Sequence, residues 1–127
     1  MDDMGIFRTT LEVEAFPSSG KRVTIADVMV DTGSEYTWIP ENVLAELGVE
    51  PVRIERFQTA DGRILERRLG FAVIYAGGRS TAAVVASAGP GDMLLLGATS
   101  LESLNLRVDL VLRELVPAGP VPAAIAA

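Results

Sequence analysis

Polar and apolar residues alternate through Thr10-Leu11-Glu12-Val13-Glu14, and this period of two marks the segment from Gly5 to Phe16 as a half-buried strand. Pro17-Ser18-Ser19-Gly20 reads as a turn, and Lys21 to Val30 as the returning strand of a hairpin. The small and polar residues Asp31 to Ser34 break that run before Tyr36-Thr37-Trp38-Ile39 resumes an extended, β-favouring stretch. A short helix is expected next. Pro40 suits its first turn, Glu41 its positive end, Val43, Leu44 and Leu47 its apolar face, and Gly48 its stop. From Val52 the strand pattern returns, and two runs meet at Ala60-Asp61-Gly62-Arg63, where Asp-Gly between extended segments signals a tight hairpin. Phe71 to Tyr75 continues as strand, Gly77-Gly78 turns it, and Ser80 to Ser87 returns.

After the Gly89-Pro90-Gly91-Asp92 loop, Leu94-Leu95-Leu96 predicts a short buried strand that stops at Gly97. A brief helix from Ala98 or Thr99 to Leu104 follows, with Glu102 placed in its first turn, and Asn105 to Leu115 alternates as one last strand. Many short strands and one or two small helices predict a mainly β domain built on a closed or folded-over sheet, spanning residues 1–115. Residues 116–127 carry Pro, Ala and Gly without charge and read as a disordered tail.

Composition removes several chemistries. With no His among 127 residues, Ser-His-Asp triads, Cys-His pairs and His-based zinc sites are unavailable. With no Cys, disulfides and thiol chemistry are excluded, and a reducing cytoplasm is the natural expectation. Seventeen acids against eleven bases, a net charge of −6, argue against nucleic acid as a partner. Arg63, Arg67 and Arg68 read as a solvated hairpin face. The longest apolar runs are too short to cross a bilayer, and the acidic start predicts no secretory signal.

What remains is carboxylate chemistry at Val30-Asp31-Thr32-Gly33-Ser34. A carboxylate at the end of an apolar strand sits at the rim of a core. Gly33 lets a backbone amide approach it, and Thr32 and Ser34 supply hydroxyls. Two such carboxylates brought together cannot both ionise cheaply, so they share a proton. One then acts as base on water and the other as acid on a carbonyl, with no metal or cofactor.

Val30-Asp31-Thr32-Gly33-Ser34 followed by Trp38 and Pro40 resembles the first catalytic motif of pepsin-like enzymes, with Ile39 where that family usually has Val. The single short domain resembles the retroviral-type, retropepsin-like single-lobe aspartic proteases and their bacterial relatives. The order matches as well: the Asp31 motif, a hairpin at Asp61-Gly62, then Leu95-Leu96-Gly97 opening a helix. The resemblance covers Phe7 to Leu115.

It implies an aspartic endopeptidase whose water is activated by Asp31 and the same residue of a second copy, because the chain carries one Asp-Thr-Gly where pepsin-like enzymes carry two. It implies that the Thr32 hydroxyl crosses to the partner's backbone, that the Gly33 amide bonds the carboxylate, and that strands from Leu106 onward build the dimer sheet. It further implies that a flap at Ala60-Asp61-Gly62 closes over an extended peptide substrate, with Ser34 beside it. A Ser34 hydroxyl bonded to the Asp31 carboxylate would lower its pKa and favour an acidic optimum. Trp38 is expected in the core beside the active loop. The competing reading is a catalytically idle module of the same fold that dimerises or grips an extended peptide.

Overall fold

The computed structural model describes residues 7–125. Gly5 and Ile6, the expected beginning of the first strand, and the last two residues of the tail lie outside the described residues. Nine strands and two helices follow in the order β1 (Arg8–Ala15), β2 (Arg22–Asp31), β3 (Thr37–Pro40), α1 (Glu41–Leu47), β4 (Pro51–Gln58), β5 (Ile64–Ala76), β6 (Arg79–Ala88), β7 (Leu95–Gly97), α2 (Ala98–Leu104), β8 (Leu106–Asp109) and β9 (Glu114–Pro117). The seven-stranded sheet runs β1-β2-β7-β3-β6-β5-β4, and β5 pairs back onto β1 through Glu12–Ala15 and Ala72–Tyr75, so six strands close a barrel and β4 extends from β5 as its one added strand. Closure removes the free edges that the six strands would present as an open sheet. The mainly β, closed architecture with two short helices expected from the pattern is what the chain adopts.

The barrel interior holds Leu11 and Val13 from β1, Ile25 and Val28 from β2, Ile39 from β3, Ile74 from β5, Val85 from β6 and Leu96 from β7. Leu44 and Leu47 of α1 and Leu101 and Leu104 of α2 pack against the same cluster. Each buried aliphatic side chain of this kind contributes about 1.5–3 kcal/mol. The Gly48 stop operates as expected: at φ +76° its amide donates back to Ala45, in the left-handed cap that glycine tolerates.

One irregularity decides which way the candidate catalytic residue points. The β1–β2 register slips between Thr9 and Leu11, where β2 carries one residue more than its partner, and Asp27 takes a positive φ of 59° at that bulge. Before the bulge Ile25 faces inward, and after it Val28 and Val30 do. A one-residue slip exchanges the two faces of a strand. Without it, Asp31 would share the inward face with Ile25; with it, Asp31 faces away from the core.

Two expectations change at the C-terminal end. Asn105 to Leu115 is not one strand but the β8–β9 hairpin, paired from Leu106↔Pro117 to Asp109↔Glu114 and separate from the barrel sheet. The Asp109 carboxylate accepts the amides of Val111 and Leu112, both at 3.0 Å, and Arg113 adopts φ 56°, so the chain reverses where alternation alone implied continuation. Val116 and Pro117, grouped by composition with the tail, are the last residues of β9. The first turn of α2 contains no acidic residue, because Glu102 falls one position beyond it.

Candidate active site

Asp31 ends β2 beside Gly97 of β7, in parallel register with Met29↔Leu95 and Val30↔Leu96. The chain then turns, with the Ser34 amide donating to the Asp31 carbonyl at 3.2 Å. The Gly33 amide donates to Asp31 Oδ1 at 2.9 Å, as the resemblance implied. A Cβ on Gly33 would stand 3.2 Å from that same oxygen, so a side chain there would crowd the carboxylate. Among the described residues this amide is the carboxylate's one hydrogen-bond donor, and Asp31 itself is half-buried.

The loop after Asp31 is strapped to the start of α2. Ala98 donates its amide to the Ser34 carbonyl at 2.7 Å and Thr99 to the Glu35 carbonyl at 3.2 Å. Beneath them, the Gly97 amide donates to Thr37 Oγ1 at 3.0 Å, and that hydroxyl shares a 2.6 Å hydrogen bond with Ser100 Oγ. Thr37 and Ser100 are fully buried, and each satisfies the other. The close approach requires Gly97: a Cβ there would fall 2.3 Å from the Tyr36 carbonyl oxygen and 2.8 Å from that of Ser34. The apolar-apolar-Gly signal therefore marks the point where the Asp31 loop rests on the helix.

Two grooves open beside this loop. One, of about 540 Å³, lies between Gly33, Ser34, Tyr36 and Trp38 on the loop side and Phe57 of β4 and Thr59 just beyond it. Its wall is aromatic: the rings of Trp38 and Phe57 are 4.9 Å apart, and those of Tyr36 and Phe57 stand edge-on at 6.1 Å. Arg53 Nη2 donates to the Tyr36 hydroxyl at 3.2 Å. The second groove, about 730 Å³, is lined by Thr32 together with Leu101 of α2, Leu106 and Val108 of β8, and Val121. Thr32 is exposed, and its side chain faces this second groove rather than the first.

Several sequence expectations change here. The Ser34 hydroxyl donates to the Tyr36 carbonyl at 3.1 Å, not to the Asp31 carboxylate, so the expected bond between the two side chains is not made. Trp38 is not a core residue; Thr37 and Ile39 on either side of it face the interior, and Trp38 is left half-buried along the groove. The tight turn at Ala60, Asp61 and Gly62 is present, with the Thr59 amide on the Arg63 carbonyl at 2.8 Å and Gly62 at φ +89°. These three tip residues are exposed and stand beyond those that line the groove, whose last member on β4's side is Thr59. The Asp61 carboxylate is held by the Thr59 hydroxyl and the Arg63 guanidinium, which keep it below the usual carboxylate range, the hydroxyl contributing most. Phe57, Tyr36 and Arg53 went unread because contacts across the groove leave no local periodicity in the sequence.

Among the described residues, no group of three acidic, His or Cys side chains gathers to hold a metal ion, and no helix is long and apolar enough to cross a membrane.

No curated protein matches this sequence significantly. The chain is similar in structure to the protease of simian foamy virus (mac), whose solution structure aligns with 22% identity and a TM-score of 0.48 over 74% of this chain and 92% of that one. The sequence profile of the gag-polyprotein putative aspartyl protease family matches residues 20–103, a segment that contains the Asp31 loop, the β4–β5 hairpin, Gly97 and most of α2. With well over half of its length covered by that profile, the chain belongs to this retropepsin-like aspartic protease family.

Proposed function

We propose that the protein is an aspartic endopeptidase that works as a homodimer, with Asp31 of each copy meeting across a two-fold axis. The observation that carries this reading is the Asp31 carboxylate itself. It ends a strand, faces away from the core, accepts the Gly33 amide at 2.9 Å and stands two residues before Gly33, which lines a groove walled on its far side by the β4–β5 hairpin. A lone carboxylate is a poor catalyst for amide hydrolysis, whereas a pair sharing one proton supplies base and acid together.

The ionised member takes a proton from water as the water oxygen attacks the peptide carbonyl, and the protonated member donates to the carbonyl oxygen. Collapse of the tetrahedral intermediate returns the proton on the former carbonyl oxygen to the member that donated it, and the other member passes its water-derived proton to the departing amine, so the pair is left with one proton as it began. Activity requires the singly protonated pair and therefore passes through a maximum with pH.

Two features support a second copy as partner. Thr32 lies beside Asp31 on an apolar groove shared with α2 and β8. The β8–β9 hairpin stands apart from the barrel sheet, and one edge of β8 has no partner strand among the described residues. Two such edges joined across the axis make a four-stranded sheet. The aromatic wall of Trp38 and Phe57 favours an apolar substrate side chain next to the scissile bond.

The test is cleavage of an unfolded protein across a pH series by wild type and Asp31→Asn. Cleavage by wild type alone, with a maximum in pH, supports the reading. No cleavage at any pH or concentration overturns it in favour of an idle peptide-binding module.

A further inference from the structure

The β4–β5 hairpin, whose Phe57 and Leu65 line the groove beside the Asp31 loop, leaves the barrel at a definite point. Leu69↔Ala86 is the last pairing between β5 and β6, and beyond it Ile64–Arg68 pair with β4 alone. A two-stranded ribbon is marginally stable by itself, so its direction depends on what holds it at the root. Arg67 is two residues out from that last pairing. Its Nε donates to Asp92 Oδ2 at 2.7 Å and its Nη2 to Asp92 Oδ1 at 2.9 Å, a two-pronged fork on a side chain only 24% exposed, against a carboxylate 13% exposed. The Lys21–Glu46 and Arg53–Glu55 pairs are longer, 3.5 and 3.6 Å, and at least one-third exposed at every member. Exposed pairs of that kind fix little, whereas a bidentate, partly buried fork fixes geometry.

Both ends of the fork are themselves held. Arg67 Nη1 donates to the Glu66 carbonyl at 2.8 Å, which aligns the guanidinium with the ribbon. Asp92 Oδ2 also accepts the Gly89 amide at 2.8 Å, and the Asp92 amide returns to the Gly89 carbonyl at 3.0 Å, closing the loop around the carboxylate. That loop leads into β7, which pairs with Met29, Val30 and Asp31. A continuous line therefore runs from the ribbon through Arg67 and Asp92 to the strand beside the catalytic carboxylate.

We propose that Arg67 and Asp92 are positioning residues that pin the root of the β4–β5 ribbon and so set its place along the groove beside the Asp31 loop. This role in turnover rests on the reading of that groove as the substrate site; the pinning itself does not. Arg67 holds the Asp92 carboxyl below its ordinary range, so the fork survives in the mildly acidic range where carboxylate pairs share a proton.

The experiment compares wild type, Arg67→Gln, Asp92→Asn and the double variant by hydrogen exchange and by steady-state cleavage. Asn at 92 keeps an oxygen for the Gly89 amide, which separates loop closure from the fork. Exchange at ribbon amides 54–58 and 64–68 is expected to quicken about tenfold in each single variant and no further in the double, with barrel amides 72–74 unchanged. KM rises about fivefold and kcat stays within about twofold, while Arg67→Lys falls between Arg67→Gln and wild type. Unchanged ribbon exchange, equal acceleration throughout the chain, or additive single effects would each overturn the proposal. If wild type cleaves nothing, the groove reading fails, and the exchange pattern still decides whether the pair pins the ribbon.

Discussion

The Asp31 loop and the ribbon across the groove from it are held by opposite means. The loop from Asp31 to Thr37 is fastened by the Ala98 and Thr99 amides on the Ser34 and Glu35 carbonyls, by the Gly97 amide on the Thr37 hydroxyl, by a buried Thr37–Ser100 pair and by a contact too close for any Cβ. The ribbon carries exposed residues along most of β4 and is held by side chains: Phe57 against Tyr36 and Trp38, Arg53 on Tyr36, and Arg67 on Asp92. The first arrangement cannot loosen without local unfolding. The second can open one contact at a time. On the proposed reading, the difference separates residues that maintain the site from residues that admit substrate.

The strongest way to break this contrast is Gly97→Ala. A methyl group 2.3 Å from the Tyr36 carbonyl oxygen forces the loop off α2. A destabilisation of about 3 kcal/mol or more is expected in denaturant melts, with cleavage lost as well. Phe57→Ala acts on the other side. Because Phe57 is half-exposed on an edge ribbon, its loss should cost less than about 1.5 kcal/mol of stability. KM is nevertheless expected to rise about tenfold, most for substrates with a bulky apolar side chain beside the scissile bond, as read from a panel of peptides. A stability loss as large as that of Gly97→Ala would erase the distinction between the two regions.

Acid sharpens the contrast. Glu14 is held below the usual carboxylate range chiefly by the Tyr75 hydroxyl, and Asp92 chiefly by Arg67. Both groups bind a proton more readily in the unfolded chain. Their contributions are therefore complete above the unfolded carboxylate values and are lost as pH falls through the lower folded values. The melting temperature should stay level from neutrality to about pH 5 and decline below about pH 4. Asp92→Asn should remove the share of that decline that belongs to the Arg67–Asp92 fork and leave the shares anchored at Glu14 and Asp61. The smallest effect belongs to Ser34→Ala. Its hydroxyl bonds the Tyr36 carbonyl, so the pH profile of cleavage should not move, whereas a shifted acidic limb would place that hydroxyl on the Asp31 carboxylate during turnover.

The same division governs what could be read from the sequence. Alternation in β1, the short helix stopped by Gly48, the Asp-Gly turn and the Gly97 stop are written in local residue types, and the structure has each of them, although Pro40 ends β3 just before the helix and not within its first turn. The Asp31 motif was legible because its chemistry needs its neighbours in sequence, with Gly33 donating two residues away. Contacts made across space were not legible. Phe57 on Trp38 and Arg67 on Asp92 join segments 19 and 25 residues apart, and neither pair follows a strand or helix period. The Asp27 bulge, which turns Asp31 outward, is hidden because Asp in a strand also suits a solvent-facing position. The β8–β9 reversal escaped for a related reason: Leu110 and Leu112 continue the alternation of Leu106 and Val108 while the Asp109 carboxylate folds the chain back.

The central claim is that one catalytic centre needs Asp31 from two copies, and mixing subunits tests it most directly. Wild type and Asp31→Asn protein are combined in equal amounts under conditions that exchange subunits, and activity per wild-type chain is followed. A shared pair leaves activity only in wild-type homodimers, about a quarter of all dimers at random pairing, so the specific activity per wild-type chain falls to about half. Activity per wild-type chain that stays constant at every ratio, and on dilution, would show that each copy hydrolyses peptides alone and would contradict the account.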